Sequence, residues 1–342
     1  MQQLSRRLTS RCFTRRAAFT LALAATLVCA VPGWAQERGV VKSEGGQEWG
    51  MGFVPASPSV LARSPKFTAT KTARAELPRS VLLTEWLPPV GNQGRQGSCG
   101  GWATAYYVYS YAVAKQRKLT PEQRADKRFQ FSPAFLYNQV NGGERLGGSN
   151  MPTLFKLMAE KGCATMAEMP YSEEDWTSQP SPAALTRGEK YKIRSAGMLA
   201  AKGKVDVNLL KTWLAEVQTP LIFCIPIYQD FPASSVGSDY VYSDTTTTVR
   251  GLHAITCVGY DDDKKAFRLV NSWGAGWGDK GFVWVSQDFI EKNLLECWGQ
   301  APGGVIARDP NQPLKVSRTF TLLPGTMVSE PKKSGGLIRR GR

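Results

Sequence analysis

Three short stretches hold side chains able to do covalent chemistry. The first is Gln93-Gly94-Arg95-Gln96-Gly97-Ser98-Cys99-Gly100-Gly101-Trp102, a glycine-rich turn running into an apolar segment that reads as a helix. A thiol at a helix start sits beside free backbone N–H groups and the positive end of the helix dipole. Both favour the thiolate, the nucleophilic form. The second stretch, Leu252-His253-Ala254-Ile255-Thr256-Cys257, contains the single histidine of 342 residues. The third is Val270-Asn271-Ser272-Trp273-Gly274-Ala275-Gly276-Trp277-Gly278. Attack on a carbonyl needs a nucleophile, a proton shuttle and a place for negative charge on the oxygen. Cys99 can attack, and His253 is the one imidazole able to carry the proton. An isolated cysteine is more often an inert buried residue, and an isolated histidine can be a packed strand residue. The weight comes from finding all three stretches in one chain.

Cysteine, then histidine, then asparagine, with Gln93 six residues before Cys99, resembles the papain family of cysteine peptidases over roughly residues 77–300. The interval from cysteine to histidine exceeds the roughly 130–150 residues usual there, so insertions between the motifs are expected. The resemblance implies a peptide-bond hydrolase acting through a thioester, without cofactor or metal, on protein or peptide substrates. In that reading Cys99 is the nucleophile, and His253 pairs with it and protonates the leaving amine. Asn271 fixes the imidazole tautomer, and Trp273 covers that hydrogen bond at the border of the substrate site. Gln93 donates to the oxyanion beside the backbone N–H of Cys99. Gly147 and Gly148 resemble the pair that binds substrate backbone, although an ordinary loop with Gly142 and Gly143 is an equal reading. Cys224 and Ala254 would line a pocket for the side chain next to the residue at the cut, small and apolar in its walls.

The chain departs from the family pattern in three places. Gly100 stands where tryptophan commonly follows the nucleophile. Gln96 stands where the family usually has a disulfide cysteine, so that bridge is expected to be absent. No long helical propeptide is visible, so self-inhibition would need a shorter device. Two other functions fit parts of the pattern: a cysteine-dependent cell-wall amidase or transglutaminase-like acyl transferase, and a non-catalytic peptide-binding protein on the same fold.

The elements that position these residues change character along the chain. From Cys99 to about Lys115 the segment is apolar nearly all round, the mark of a buried helix. Ser132-Pro133 opens a second helix, with Leu136 and Val140 on its apolar stripe. Met151 to Lys161 forms a third, ended by Gly162. A fourth begins near Asp206 and buries Leu209, Leu210, Trp213, Leu214 and Val217. Beyond it, Leu221–Tyr228, Ala254–Tyr260, Phe267–Val270 and Phe282–Val285 read as strands. Helices first and strands second predict an α+β chain. The resemblance adds two lobes, helical and β-barrel-like, with the reactive cleft between them. The expected division is 1–35 export signal, 36–76 extended leader or short pro-segment, 77–300 catalytic domain (helical lobe about 91–204, β lobe about 205–300) and 301–342 C-terminal extension. That extension has one strand from Leu314 to Leu323 and a disordered end.

The ends explain much of the charge. The formal net charge is +15, and residues 1–35 contribute Arg6, Arg7, Arg11, Arg15 and Arg16 without any acid. Lys332, Lys333, Arg339, Arg340 and Arg342 stand against Glu330 at the other end. No array of interleaved aromatic and basic residues argues for nucleic acid. The basic start, the apolar run Ala17–Val31 and Gly33-Trp34-Ala35 read as an export signal, too short to span a bilayer comfortably. Thr14-Arg15-Arg16 hints at twin-arginine export, and Cys29 after Val28 is a poor lipid-anchor site. A soluble monomer in the periplasm or outside the cell is expected. Cleavage would leave Cys99, Cys163, Cys224, Cys257 and Cys297. One nucleophile with up to two disulfides, or all thiols reduced and buried, fit that count equally.

Overall fold

The computed structural model describes residues 39–43, 45–69, 76–193, 195–243, 247–300, 314–315, 320–323 and 325. The export signal with Cys29, parts of the leader and nearly all of the C-terminal end lie outside these residues.

The apolar segment after Cys99 forms a helix whose residues 99–111 are all buried. It starts as an α-turn at Cys99–Gly101, widens into a π-helical stretch at Trp102–Tyr109 and returns to α at Ser110–Arg117. Lys118, at φ 53°, ends it in the left-handed conformation. Lys115 and Arg117 in the last turn complement the negative end of the dipole. This helix is the spine of the molecule, because its faces belong to two different cores. Trp102, Tyr106 and Tyr107 pack with Trp213, Phe223, Phe267 and Trp277. Cys99, Ala103 and Val108 pack with Phe135, Leu154, Phe155, Met158 and Trp298.

Side-chain caps set the starts of the other helices. Ser132 accepts from the Phe135 N–H at the head of Pro133–Tyr137, and Asn150 from Thr153 at the head of Met151–Glu160. Asp206 accepts from Leu209 before Val207–Glu216. Each cap satisfies a donor that the helix geometry leaves free. The helix at Pro133 stops at Tyr137, so Val140 lies beyond it. Leu209 is half-buried rather than buried.

Among the described residues, eleven strands form one sheet. Its central part runs Ala196–Ala201, Glu296–Gln300, Leu221–Tyr228, Val249–Asp261, Ala266–Val270 and Phe282–Ser286, antiparallel throughout. Lys66–Ala69 joins beside Ala196–Ala201 and pairs on its other side with Phe320–Leu323. The single strand expected at the C-terminus is two, Leu314–Lys315 and Phe320–Leu323, paired antiparallel. The helices and the mixed sheet around two cores make the α+β, two-lobed build that the sequence predicts. All five described cysteines are free thiols. Among the described residues, no helix is long and apolar enough to cross a membrane.

The segment before the sheet has structure of its own. Val40–Lys42 and Glu48–Gly50 pair as a small hairpin, and Pro58–Arg63 is a short helix. Between them, residues 51–56 are held by backbone bonds to distant parts of the chain, described next.

Candidate active site

The long strand Val249–Asp261 carries His253 and Ala254, and its neighbour carries Ile225 and Cys224 directly opposite. The helix starts against this strand at Cys99, with the Ala254 N–H donating to the Cys99 Sγ at 3.4 Å. The Cys99 side chain is fully buried. That burial pushes its thiol pKa up, against the opposing effect of the N–H groups of Ala254, Gly52 and Gly100 and its own. Gly100 permits the close approach at this point. A Cβ there would lie 2.7 Å from the Ser149 Oγ and 2.8 Å from the Leu154 Cδ1, so a tryptophan has no room.

His253 and Asn271 meet at 2.8 Å between Nε2 and Oδ1. The Asn271 Oδ1 also accepts from the Ser272 N–H at 2.8 Å, and the Asn271 carbonyl accepts from the Tyr107 hydroxyl at 2.7 Å. Trp273 lies over the pair, its ring 5.0 Å from the imidazole. Burial lowers the His253 pKa to about 4, with the Asn271 bond opposing. The other ring nitrogen, Nδ1, makes no hydrogen bond. The sulfur takes a hydrogen bond from the Ala254 backbone, and burial disfavours the charged form of both the thiol and the imidazole.

Gln93 is buried, and every part of its side chain is engaged. Its Oε1 accepts from the Ser272 hydroxyl at 2.6 Å. Its Nε2 donates to the Gly50 carbonyl at 2.8 Å and to the Gln96 carbonyl at 2.7 Å. The Tyr171 hydroxyl donates to the Gln93 carbonyl at 2.7 Å and shares a 2.7 Å bond with Ser98.

Gly50 belongs to a strap of chain, residues 48–56, that passes through the site. The Gly50 N–H donates to the Gly94 carbonyl at 2.9 Å, and the Phe53 N–H to the Leu252 carbonyl at 3.1 Å. Ser149 donates to the Gly52 carbonyl at 2.8 Å and accepts from the Val54 N–H at 3.0 Å, a parallel pairing. Trp49 stacks on Trp273 with ring centroids 5.3 Å apart. Beyond, the Ala56 N–H donates to the Glu296 carboxylate at 2.9 Å. The strap therefore touches the surroundings of Cys99, Gln93, His253 and Trp273 together.

The structure brings Cys99, His253, Asn271, Gln93, Trp273, Cys224 and Ala254 into one region. Gly148, at φ +69°, faces the strap, with the Gly52 carbonyl 2.6 Å from where a Cβ would be. Gly147 packs instead on the Asn141 backbone. Two of the strap's backbone bonds go to Ser149, one residue beyond the glycine pair. Sequence reasoning missed Ser149, Ser272, Tyr171, Glu296 and the strap. Two signals were present: Glu296 is an acid inside the apolar run Leu294-Leu295-Glu296-Cys297-Trp298, and Trp49-Gly50-Met51-Gly52-Phe53 alternates large side chains with glycine. Among the described residues, no cluster of His, Cys, Asp or Glu is arranged to hold a metal ion.

The profile of the family described as "Papain family cysteine protease" matches residues 78–297. Among solved structures the chain is similar to xylellain, a cysteine protease from Xylella fastidiosa. The identity is 25% and the TM-score 0.62, over 77% of this chain and 96% of that one. It is 27% identical over 232 residues to cathepsin K of Gallus gallus, covering 65% of this chain and 62% of that protein's length. It is 27% identical over 222 residues to cathepsin B-like CP2 of Giardia intestinalis, covering 62% of this chain and 70% of that one.

Proposed function

Because the chain belongs to the papain family of cysteine proteases, we propose that it is a cysteine endopeptidase held in a covered form by its own strap. Cys99 attacks the peptide carbonyl and forms a thioester. His253 takes the thiol proton through Nδ1 and gives it to the leaving amine, then activates water to release the acid. Asn271, at Nε2, holds the imidazole in the tautomer and orientation that leave Nδ1 free to take the proton. Gln93 Nε2 and the Cys99 N–H stabilise the oxyanion, an effect worth roughly 10²–10³ in rate for each donor. Trp273 shields the imidazole–amide bond from water.

One observation carries the reading: the only imidazole, locked to Asn271 at 2.8 Å, stands next in sequence to the residue whose N–H reaches the Cys99 sulfur at 3.4 Å. The strap supports it from the other side. A length of extended chain runs through this site on backbone hydrogen bonds, which is how a peptide would be held. The strap pairs parallel with Ser149 and occupies the Gln93 amide with the Gly50 carbonyl. It therefore blocks the site until displaced or cut. Residues 1–35 act as an export signal, and the enzyme works outside the cytoplasm.

The test is cleavage of a peptide library by the full chain, with and without limited proteolysis of the strap, alongside Cys99→Ala. Cleavage that depends on Cys99, together with labelling of Cys99 by an epoxide-type thiol reagent, is the expected result. Equal cleavage by Cys99→Ala would refute the assignment.

A further inference from the structure

Tyr171 has no role in the chemistry above, yet its hydroxyl joins the two chain positions that carry the oxyanion donors assigned there. One donor is the side-chain amide of Gln93. The other is the Cys99 N–H, part of the peptide unit that Cys99 shares with Ser98. The Tyr171 hydroxyl lies 2.7 Å from the Gln93 carbonyl and 2.7 Å from the Ser98 hydroxyl. A carbonyl oxygen only accepts, so the phenolic proton goes to Gln93. The other bond then has a single donor left, the Ser98 hydroxyl. The result is a directed chain, from Ser98 to Tyr171 to Gln93, that ties the two ends of the turn together. Burial raises the Tyr171 pKa above its ordinary value, so the phenol keeps the proton that this chain needs.

Ser272 seats the rest of Gln93. The Gln93 N–H donates to the Ser272 carbonyl at 2.8 Å, and Oε1 accepts from the Ser272 hydroxyl at 2.6 Å. Of the two hydrogens on Nε2, one goes to the Gln96 carbonyl at 2.7 Å, inside the turn, and the other to the strap's Gly50 carbonyl. When the strap leaves, the second hydrogen is the one released. Its direction follows from how Gln93 is seated, by Ser272 on one side and Tyr171 on the other.

Tyr171 has support that does not involve its hydroxyl. Its ring meets the Trp102 ring edge-on, with centroids 4.8 Å apart. The loop after it is bound to the same turn. Gln96 Nε2 donates to the Ser172 carbonyl at 2.7 Å and the Asp175 carbonyl at 3.1 Å, and the Arg95 N–H donates to the Glu173 carboxylate at 2.7 Å. The hydroxyl is thus presented from a locked position, as the placement of reacting groups demands.

We propose that Tyr171 is a positioning residue, whose hydroxyl aims the Gln93 amide and the Cys99 N–H at the oxyanion by fixing the Gln93 carbonyl and Ser98 to one another. The proposal rests on the peptidase reading above.

The test is Tyr171→Phe, which keeps the ring and its packing, in the full chain after strap cleavage. Two rates are compared: kcat on a peptide anilide, and the second-order rate of Cys99 alkylation by iodoacetamide. Alkylation joins sulfur to carbon and expels iodide, with no charge growing on a carbonyl oxygen. It therefore reads the thiol and imidazole without the oxyanion donors. A misplacement of about 1 Å can cost about 10²-fold. Tyr171→Phe should lower kcat by about 10- to 100-fold with little change in KM, and should alkylate at the wild-type rate. An unchanged kcat overturns the proposal. So does alkylation that falls in step with kcat, the mark of a merely structural role. Either result leaves the peptidase reading intact, since wild-type cleavage still depends on Cys99. Should Tyr171→Phe fail to fold, Ser98→Ala cuts the same chain at its other end and decides by the same two rates. A wild-type chain that cleaves no peptide, with Cys99 unlabelled by the epoxide, would overturn both readings.

Discussion

Adding one methyl group to the strap should open the site. A Cβ built on Gly52 lies 1.8 Å from the Gly97 carbonyl oxygen, 2.4 Å from its carbon and 2.6 Å from the Gly97 Cα. These are backbone atoms of the turn that leads into Cys99, so no rotamer change relieves the overlap. Forcing extra volume into a packed place costs typically about 1–3 kcal/mol. At about 1.4 kcal/mol per tenfold change in population, Gly52→Ala should raise the uncovered fraction by roughly 5- to 150-fold. The assay is the second-order rate of Cys99 labelling by an epoxide-type thiol reagent on the intact chain, which reads access to the sulfur directly. Gly45→Ala is the control, since the nearest atom to its Cβ is 3.8 Å away and no rate change is expected. A folded Gly52→Ala chain that labels no faster than wild type would refute the argument that the strap governs access. So would equal acceleration in Gly45→Ala.

Three further outcomes follow from the same geometry. Cys99→Ala should abolish peptide hydrolysis while preserving the melting temperature within a few degrees, as read by a peptide assay and a thermal melt. Gln93→Ala should lower kcat by roughly 10²–10³ with a smaller change in KM, measured by steady-state kinetics after strap cleavage. The third outcome concerns pH and two buried groups of opposite sign. His253 titrates near 4 in the fold against 6.5 ordinarily, so it binds fewer protons folded and adds stability as pH rises from 4 to 6.5. Glu296 titrates near 7 against 4.5, so it binds more protons folded and removes stability as pH rises from 4.5 to 7. Each contributes about 3 kcal/mol, and they nearly cancel. Glu296→Gln should uncover the His253 slope, with melting temperature in the covered form climbing from pH 4 to 6.5. A flat profile in that variant would count against the buried, neutral imidazole.

The candidate residues that the structure brings together were legible because they are of types, or in stretches, that are rare in this chain. One histidine leaves a single candidate proton carrier, and the glycine-spaced asparagine stretch singles out Asn271 as the candidate beside it. The strand Leu221–Tyr228 was readable to the residue because its apolar run is long and bounded by Pro220 and Gln229. Ala196–Ala201 was not, since Ala-Gly-Met-Leu-Ala-Ala carries little strand propensity and becomes a strand through its partners Glu296–Gln300 and Lys66–Ala69. The strap was missed for a related reason. Its donors and acceptors go to Gly94, Ser149 and Leu252, far away in sequence, and an extended segment bonded only at long range leaves no local period. Glu296 was hidden because an acid in an apolar run signals burial without revealing what it faces.

The strap does more than occupy space. A thiolate–imidazolium pair forms only where water or fixed dipoles can support two charges. With the strap in place, burial drives the thiol pKa up and the imidazole pKa down, so under the proposed mechanism the strap disfavours the reactive ion pair along with access. The Gly50 carbonyl meanwhile takes the Gln93 amide hydrogen that the proposed mechanism assigns to the oxyanion. Removing the strap therefore changes three things together: a path opens to the sulfur, solvation lets the proton pass from Cys99 to His253, and a donor is freed. It follows that partial displacement should be graded in its effects. A strap loosened only at Trp49, where it stacks on Trp273, would leave Gly52 over the sulfur and the thiol still neutral. A strap displaced at Gly52 would restore access and charge together. In the proposed mechanism activation should therefore depend on the contact of Gly52 with Gly97, two residues before Cys99, rather than on the larger aromatic contact beside it.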